Sequence, residues 1–127
     1  MKNKTKKTPF ETAVKILAKS GFKTVDYTPN YKTDDWEALT YKNLQIIEEA
    51  GLTVHQTHAP FNRYGQHGEN HMKFVERALQ ETIMMGEKYM VVHGDEFDFE
   101  NMEYTPEKAF EYNYNLFAPI VEKSRCQ

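Results

Sequence analysis

The chain has 127 residues, with 16 Lys and Arg against 19 Asp and Glu, a formal net charge of −3, 39% hydrophobic and 28% charged residues. This suits one domain over 1–127 with a core of its own, in a cytoplasmic protein of ordinary globular make-up. It excludes a global basic field for nucleic acid and any apolar run of the roughly 20 residues that a membrane span needs. The single cysteine, Cys126, also excludes an intrachain disulfide and a cysteine-built zinc site.

The basic run KNKTKK has no apolar stretch behind it, so residues 1–7 read as a disordered, solvated tail rather than a secretory signal. A first helix begins at TPFE. Thr8 can cap it, Pro9 suits the first turn, and Glu11 completes a capping box. Phe10, Ala13, Val14, Leu17 and Ala18 form one apolar stripe. Gly21 fits a left-handed helix end, and FKTVDYTP follows as a short strand. A second helix starts at Asp34, with Glu37 in a second capping box. Trp36, Leu39, Ile46, Ile47 and Ala50 form its buried stripe. Gly51 ends it, LTVHQTHAP is the next strand, and FNRYGQHGEN is a loop. The third helix buries Met72, Val75, Leu79, Ile83 and Met84, Gly86 ends it, and KYMVVHGD is the third strand. A fourth helix is capped by Thr105, with Pro106 in its first turn and Phe110, Leu116, Phe117, Ile120 and Val121 turned inward. Pro119 should kink or break it near Ala118.

The recurring unit is helix, glycine, strand. A helix between each pair of strands makes them parallel, with right-handed crossovers. Thr28, His58 and His93 each lie seven residues after their glycine. Equal spacing places them at one height, at the carboxyl ends of neighbouring strands, where α/β folds form their sites. Three strands fall short of the roughly five of a flavodoxin-like sheet, and the length is about half of a full (β/α)8 barrel. The expected fold is therefore α/β, a partial (β/α)8 TIM barrel with about three parallel strands and four helices.

Other residues read more plainly. His55, Thr53 and Thr57 lie on the face opposite His58 by strand alternation, which makes that helix-facing side unusually polar. His67 and His71 read as surface residues, and Arg63 as a surface arginine or a phosphate clamp. Asp26 can face either the barrel mouth or the helices. Asp95, Glu96, Asp98, Glu100 and Glu103 form a solvated acidic loop, with Asp95 the one candidate for a cation or substrate contact. Tyr89, Phe97, Phe99, Tyr104, Tyr112 and Tyr114 read as packing aromatics rather than a stacking platform for bases.

AGLTVHQTHAPF, the helix ending ALQETIMMG, and YMVVHGD resemble the third and fourth strands of the xylose-isomerase-like barrel superfamily, and KSGFKTVDYTP resembles the second. That superfamily includes sugar phosphate isomerases and epimerases and endonuclease-IV-type repair enzymes. The resemblance runs from about Pro9 onward and corresponds to the N-terminal portion of such a barrel. It implies that His58 and His93 line the pocket for a small-molecule sugar or sugar phosphate. It also implies a divalent metal, Mn, Mg or Zn, in complete members, where it assists proton transfer beside a carbonyl. The isomerases' carboxylate ligands come from later strands, so no catalytic or metal residue is assigned here. Two histidines alone would hold a metal weakly. The expectation is a truncated isomerase or epimerase without turnover. The rival expectations are a non-catalytic binding or assembly module that forms a homo-oligomer through open strand edges, and a zinc nuclease fragment.

Overall fold

A computed structural model describes residues 9–94 and 105–125, with Tyr64 described by its backbone alone. The elements in order are α1 (Phe10–Lys19), β1 (Thr24–Tyr27), α2 (Trp36–Glu49), β2 (Thr53–His58), two single 3-10 turns (Arg63–Gly65 and Gly68–Asn70), α3 (His71–Met84), β3 (Met90–Val91) and α4 (Pro106–Arg125). The tail at 1–7, Thr8, the acidic loop from Asp95 to Glu103, Tyr104 and Cys126 lie outside the described residues.

The three glycines do the same work three times. Gly21, Gly51 and Gly86 have φ of 95°, 81° and 73°. Around each, the amide after the glycine reaches back to the third carbonyl from the helix end: Phe22 to Leu17 at 3.3 Å, Leu52 to Ile47 at 3.1 Å, Glu87 to Thr82 at 3.0 Å. The glycine amide itself bonds Ala18, Glu48 and Ile83 in turn. This is the Schellman ending, which satisfies orphan carbonyls and turns the chain back toward the sheet. In the first two units an apolar residue follows the glycine; in the third it is Glu87.

The strands form one parallel sheet in the order β1-β2-β3. Each strand adds on the same side of the last, and the helices touch in sequence: α1 with α2, α2 with α3, α3 with α4. A doubly wound sheet reverses direction and puts helices on both faces. Here the described strands never reverse, and the helices make one layer on one face. The core lies between layer and sheet. One cluster joins Val14, Tyr27, Ile47, Leu52, Val54 and Met85; a second joins Ala59, Val75, Leu79 and Ile120. Burying a side chain such as Ile47 stabilises by about 1.5–3 kcal/mol.

Several expectations need correction. Neither α1 nor α2 has a side-chain cap: Pro9 and Asp35 occupy the cap positions without cap bonds, and Glu11 pairs with Lys15 at 3.1 Å instead. α4 does start as expected, with Thr105 Oγ1 accepting from the Lys108 amide at 3.2 Å. It then runs through Pro119 to Arg125 without a break. Of its apolar residues only Ile120 is buried, and Phe110 is 71% exposed. Tyr89, Tyr112 and Tyr114 are also exposed rather than packed.

The helix-facing polar residues are core residues. Thr40, Thr57 and Glu81 have no exposed surface, and Asn43 and Thr82 are buried beside them. Thr82 Oγ1 donates to the Ala78 carbonyl at 2.7 Å, so Thr57 is the donor in the 2.7 Å bond between the two threonine hydroxyls. Tyr27 Oη accepts from Asn30 Nδ2 at 2.8 Å and from Asn43 Nδ2 at 3.1 Å. Of the β2 residues expected on the helix-facing side only Thr57 lies there; Thr53 and His55 are exposed, so that side is less polar than the alternation predicts.

Candidate functional site

A single extra residue decides which side chains meet on the bare face of the sheet. Val25 pairs with Val54, but Asp26 pairs with Gln56, so His55 is a bulge on β2. Alternation restarts after it. Val54 and Thr57 both face the helices although three residues apart, while Gln56 and His58 share the opposite face with Asp26. His55 is exposed at the bulge and does not pack on helices.

On that face Asp26 Oδ2 accepts from Gln56 Nε2 at 3.0 Å and lies 3.3 Å from His58 Nε2. The Gln56 bond, then the His58 contact, hold the Asp26 carboxyl below its ordinary value of 3.8. With Nε2 turned to Asp26, His58 keeps Nδ1 as its second hydrogen-bonding atom. A carboxylate, an amide and an imidazole together offer donors and acceptors to hydroxyl groups. Of the three, the strand-end position pointed to His58. Asp26 was open between two faces, and Gln56 was missed, although it lies two residues before His58 and hence on its face.

The glycine register holds for one pair of strands and fails for the other. Tyr27 pairs with Thr57, so Thr28 and His58 are level. In the third unit Thr57 pairs with Met90 and His58 with Val91, not His93. Met90, four residues after Gly86, is level with Thr57, six residues after Gly51, so the third unit reaches this height in two residues fewer. His93 therefore lies two residues above His58, roughly 7 Å along the strand direction. It is exposed and outside the strand, with its ring 4.1 Å from that of Phe61 and tilted 40° to it. The structure does not bring the two histidines together as an even pair.

His67 and His71 are not surface residues. They are buried, and their rings stack at 5.8 Å with 3° between planes. Tyr31 and Phe74 meet the His67 ring edge-on at 5.8 and 5.4 Å. Asn62 Oδ1 accepts from the His67 amide at 3.1 Å and fixes the loop there. The short 3-10 turns fold the loop back over α3, which one-dimensional spacing could not foretell. Arg63 is exposed.

A cavity of about 500 Å³ opens between β3, α3 and α4, lined by Leu79, Ile83, Met90, Phe117 and Val121 among others. Of the Asp26 trio only Gln56 borders it. Among the described residues no three His, Cys, Asp or Glu come together as metal ligands, and no helix is long and apolar enough to cross a membrane. Asp26 and His58 give this rim one carboxylate and one imidazole, fewer than the three protein ligands of a firmly held divalent metal. No protein-family model, curated protein or solved structure matches the chain.

Proposed function

We propose that this chain is the N-terminal portion of a xylose-isomerase-like barrel, and that its bare sheet face binds a sugar or sugar phosphate without turning it over. The observation that carries this reading is the Asp26–Gln56–His58 trio at the strand ends of a singly wound parallel sheet. A sheet wound in one direction with helices on one face is the arrangement from which barrels are built. His58 and Asp26 would hydrogen-bond sugar hydroxyls. The Phe61–His93 pair, beyond the ends of β2 and β3, would close one side of the site. Complete members use a divalent metal to polarise the sugar oxygens, but no step here is routed through one. On this reading Asp26, held by Gln56 and His58, bonds sugar hydroxyls rather than acting as the base of an isomerisation. The test is incubation with ketoses and their phosphates, with Mn²⁺ or Mg²⁺, while following product. Binding without product supports the reading, and steady isomerisation by the chain alone overturns it.

A second reading, assembly, has its own support on α4. Phe110, Tyr114, Phe117 and Val121 recur at spacings of four, three and four, which is one helix face. Phe110 and Tyr114 stack at 5.9 Å and are 71% and 61% exposed, and the stripe leads to the cavity beside β3. An apolar flank beside an open strand edge favours association. On this reading the chain is a homo-oligomer. Light scattering at high concentration tests it, and a clean monomer would sink it.

A further inference from the structure

Glu81 is the one carboxyl with no exposed surface among the described residues, and neither the rim site nor the assembly flank uses it. It sits on α3 and points at α2 and the chain leaving β1. Its Oε1 accepts from the Asn30 amide at 3.0 Å and makes a short hydrogen bond with Thr40 Oγ1. Thr40 Oγ1 is also 2.7 Å from the Trp36 carbonyl of its own helix. A hydroxyl has one hydrogen, and a carbonyl can only accept. The one Thr40 hydrogen cannot serve both the Trp36 carbonyl and Glu81, so one of the two contacts needs a hydrogen that only a protonated Glu81 supplies. An ionised carboxylate has none. Glu81 Oε2 is buried and meets no donor among the described residues. A charged oxygen there would be costly to bury, whereas the carbonyl oxygen of a neutral acid is tolerated at far lower cost.

We infer that Glu81 is an uncharged carboxylic acid at neutral pH and works as a proton-operated latch, tying α2, α3 and the chain after β1 together until its proton is lost. Burial pushes its carboxyl above the ordinary 4.5, and the bond from the Asn30 amide opposes this only in part. Among the described residues no cation offsets the burial. α2 faces it with Thr40 and Asn43, while Glu37, Lys42, Glu48 and Glu49 are exposed. β1 faces it with Tyr27, whose own hydroxyl is pushed up by burial. On α3 the nearest charge one turn back, Arg77, gives its guanidinium to the Tyr31 carbonyl at 2.8 Å. β2 brings Val54 and Thr57 to this side, neither of them titratable.

The sign follows from linkage. The folded state holds the Glu81 proton more tightly than the unfolded chain. The stability it contributes is complete below about 4.5 and is lost as pH rises through the folded value. Glu81→Gln keeps a hydrogen for Thr40 and removes the titration. The test is the unfolding equilibrium constant of wild type and Glu81→Gln, measured with denaturant from about pH 5 to pH 9. The wild-type constant divided by the variant's should climb with pH, approaching roughly tenfold per unit at its steepest. A ratio that stays flat overturns the latch. Carboxyl-carbon NMR of glutamate-labelled wild type gives a second readout, which decides alone if the variant does not fold. One glutamate should stay protonated at neutral pH, and ordinary titration of every glutamate overturns the inference.

Discussion

His58 shows how far one residue's chemistry can be read from a sequence. Its place at a strand end was legible from the glycine spacing, and its partners were not. Asp26 meets it only because His55 bulges out and resets the alternation of β2. A period-2 reading has no signal for an inserted residue, and so it placed His55 and Thr57 on one face. The Asp26 carboxyl provides a direct check. Its depressed value should rise toward 3.8 in Gln56→Ala and in His58→Ala, read by carboxyl-carbon NMR. By linkage the depressed carboxyl contributes stability above about 3.8 that is lost as pH falls through the folded value. Asp26 lies at the surface, so the shift in its titration is the decisive readout and an effect on stability is not. Unchanged Asp26 titration in both variants would remove the basis for treating the three as one unit.

At the scale of elements the helix ends were the most legible feature. Three Schellman endings follow from three glycines, because a left-handed residue costs a non-glycine about 1–2 kcal/mol. Gly51 has φ of 81° and nothing within 4 Å of an added Cβ. Gly51→Ala should therefore destabilise by about 1 kcal/mol through backbone strain alone, with Gly51→Asn milder, as measured by denaturant midpoints. Helix starts were less legible, since Glu11 and Glu37 match a capping box by spacing but make no cap. Pro119 predicts a kink or break, yet α4 continues through it, with Ile120 buried against α3. Tertiary packing outweighs propensity there. Pro119 is exposed, so Pro119→Ala should raise stability by up to about 3 kcal/mol without loss of packing. No gain would mean that the helix already absorbs the proline at no cost. The buried polar set around Thr40, Asn43 and Glu81 escaped the sequence reading for a related reason. Apolar stripes mark a core, whereas these residues are core because they bond to one another.

For the whole molecule, three parallel strands wound in one direction under four helices were legible from the repeat, and their stagger was not. The third unit reaches the level of His58 already at Val91, two residues sooner after its glycine than the second unit does, and His93 therefore stands above His58. That leaves one polar cluster on the bare face where an even row of three was expected. The open flank of α4 bears on assembly. Phe110→Lys with Tyr114→Lys should convert an oligomer to monomer in light scattering and leave the helical circular dichroism unchanged. The proposal that the bare face receives a sugar is tested most directly by titrating a panel of ketose phosphates into labelled protein, with product followed in the same tubes. We predict saturable NMR shifts at Asp26, Gln56 and His58, their loss in His58→Ala, and no isomerised sugar. Absence of any shift on that face, or steady turnover by the chain alone, would contradict it.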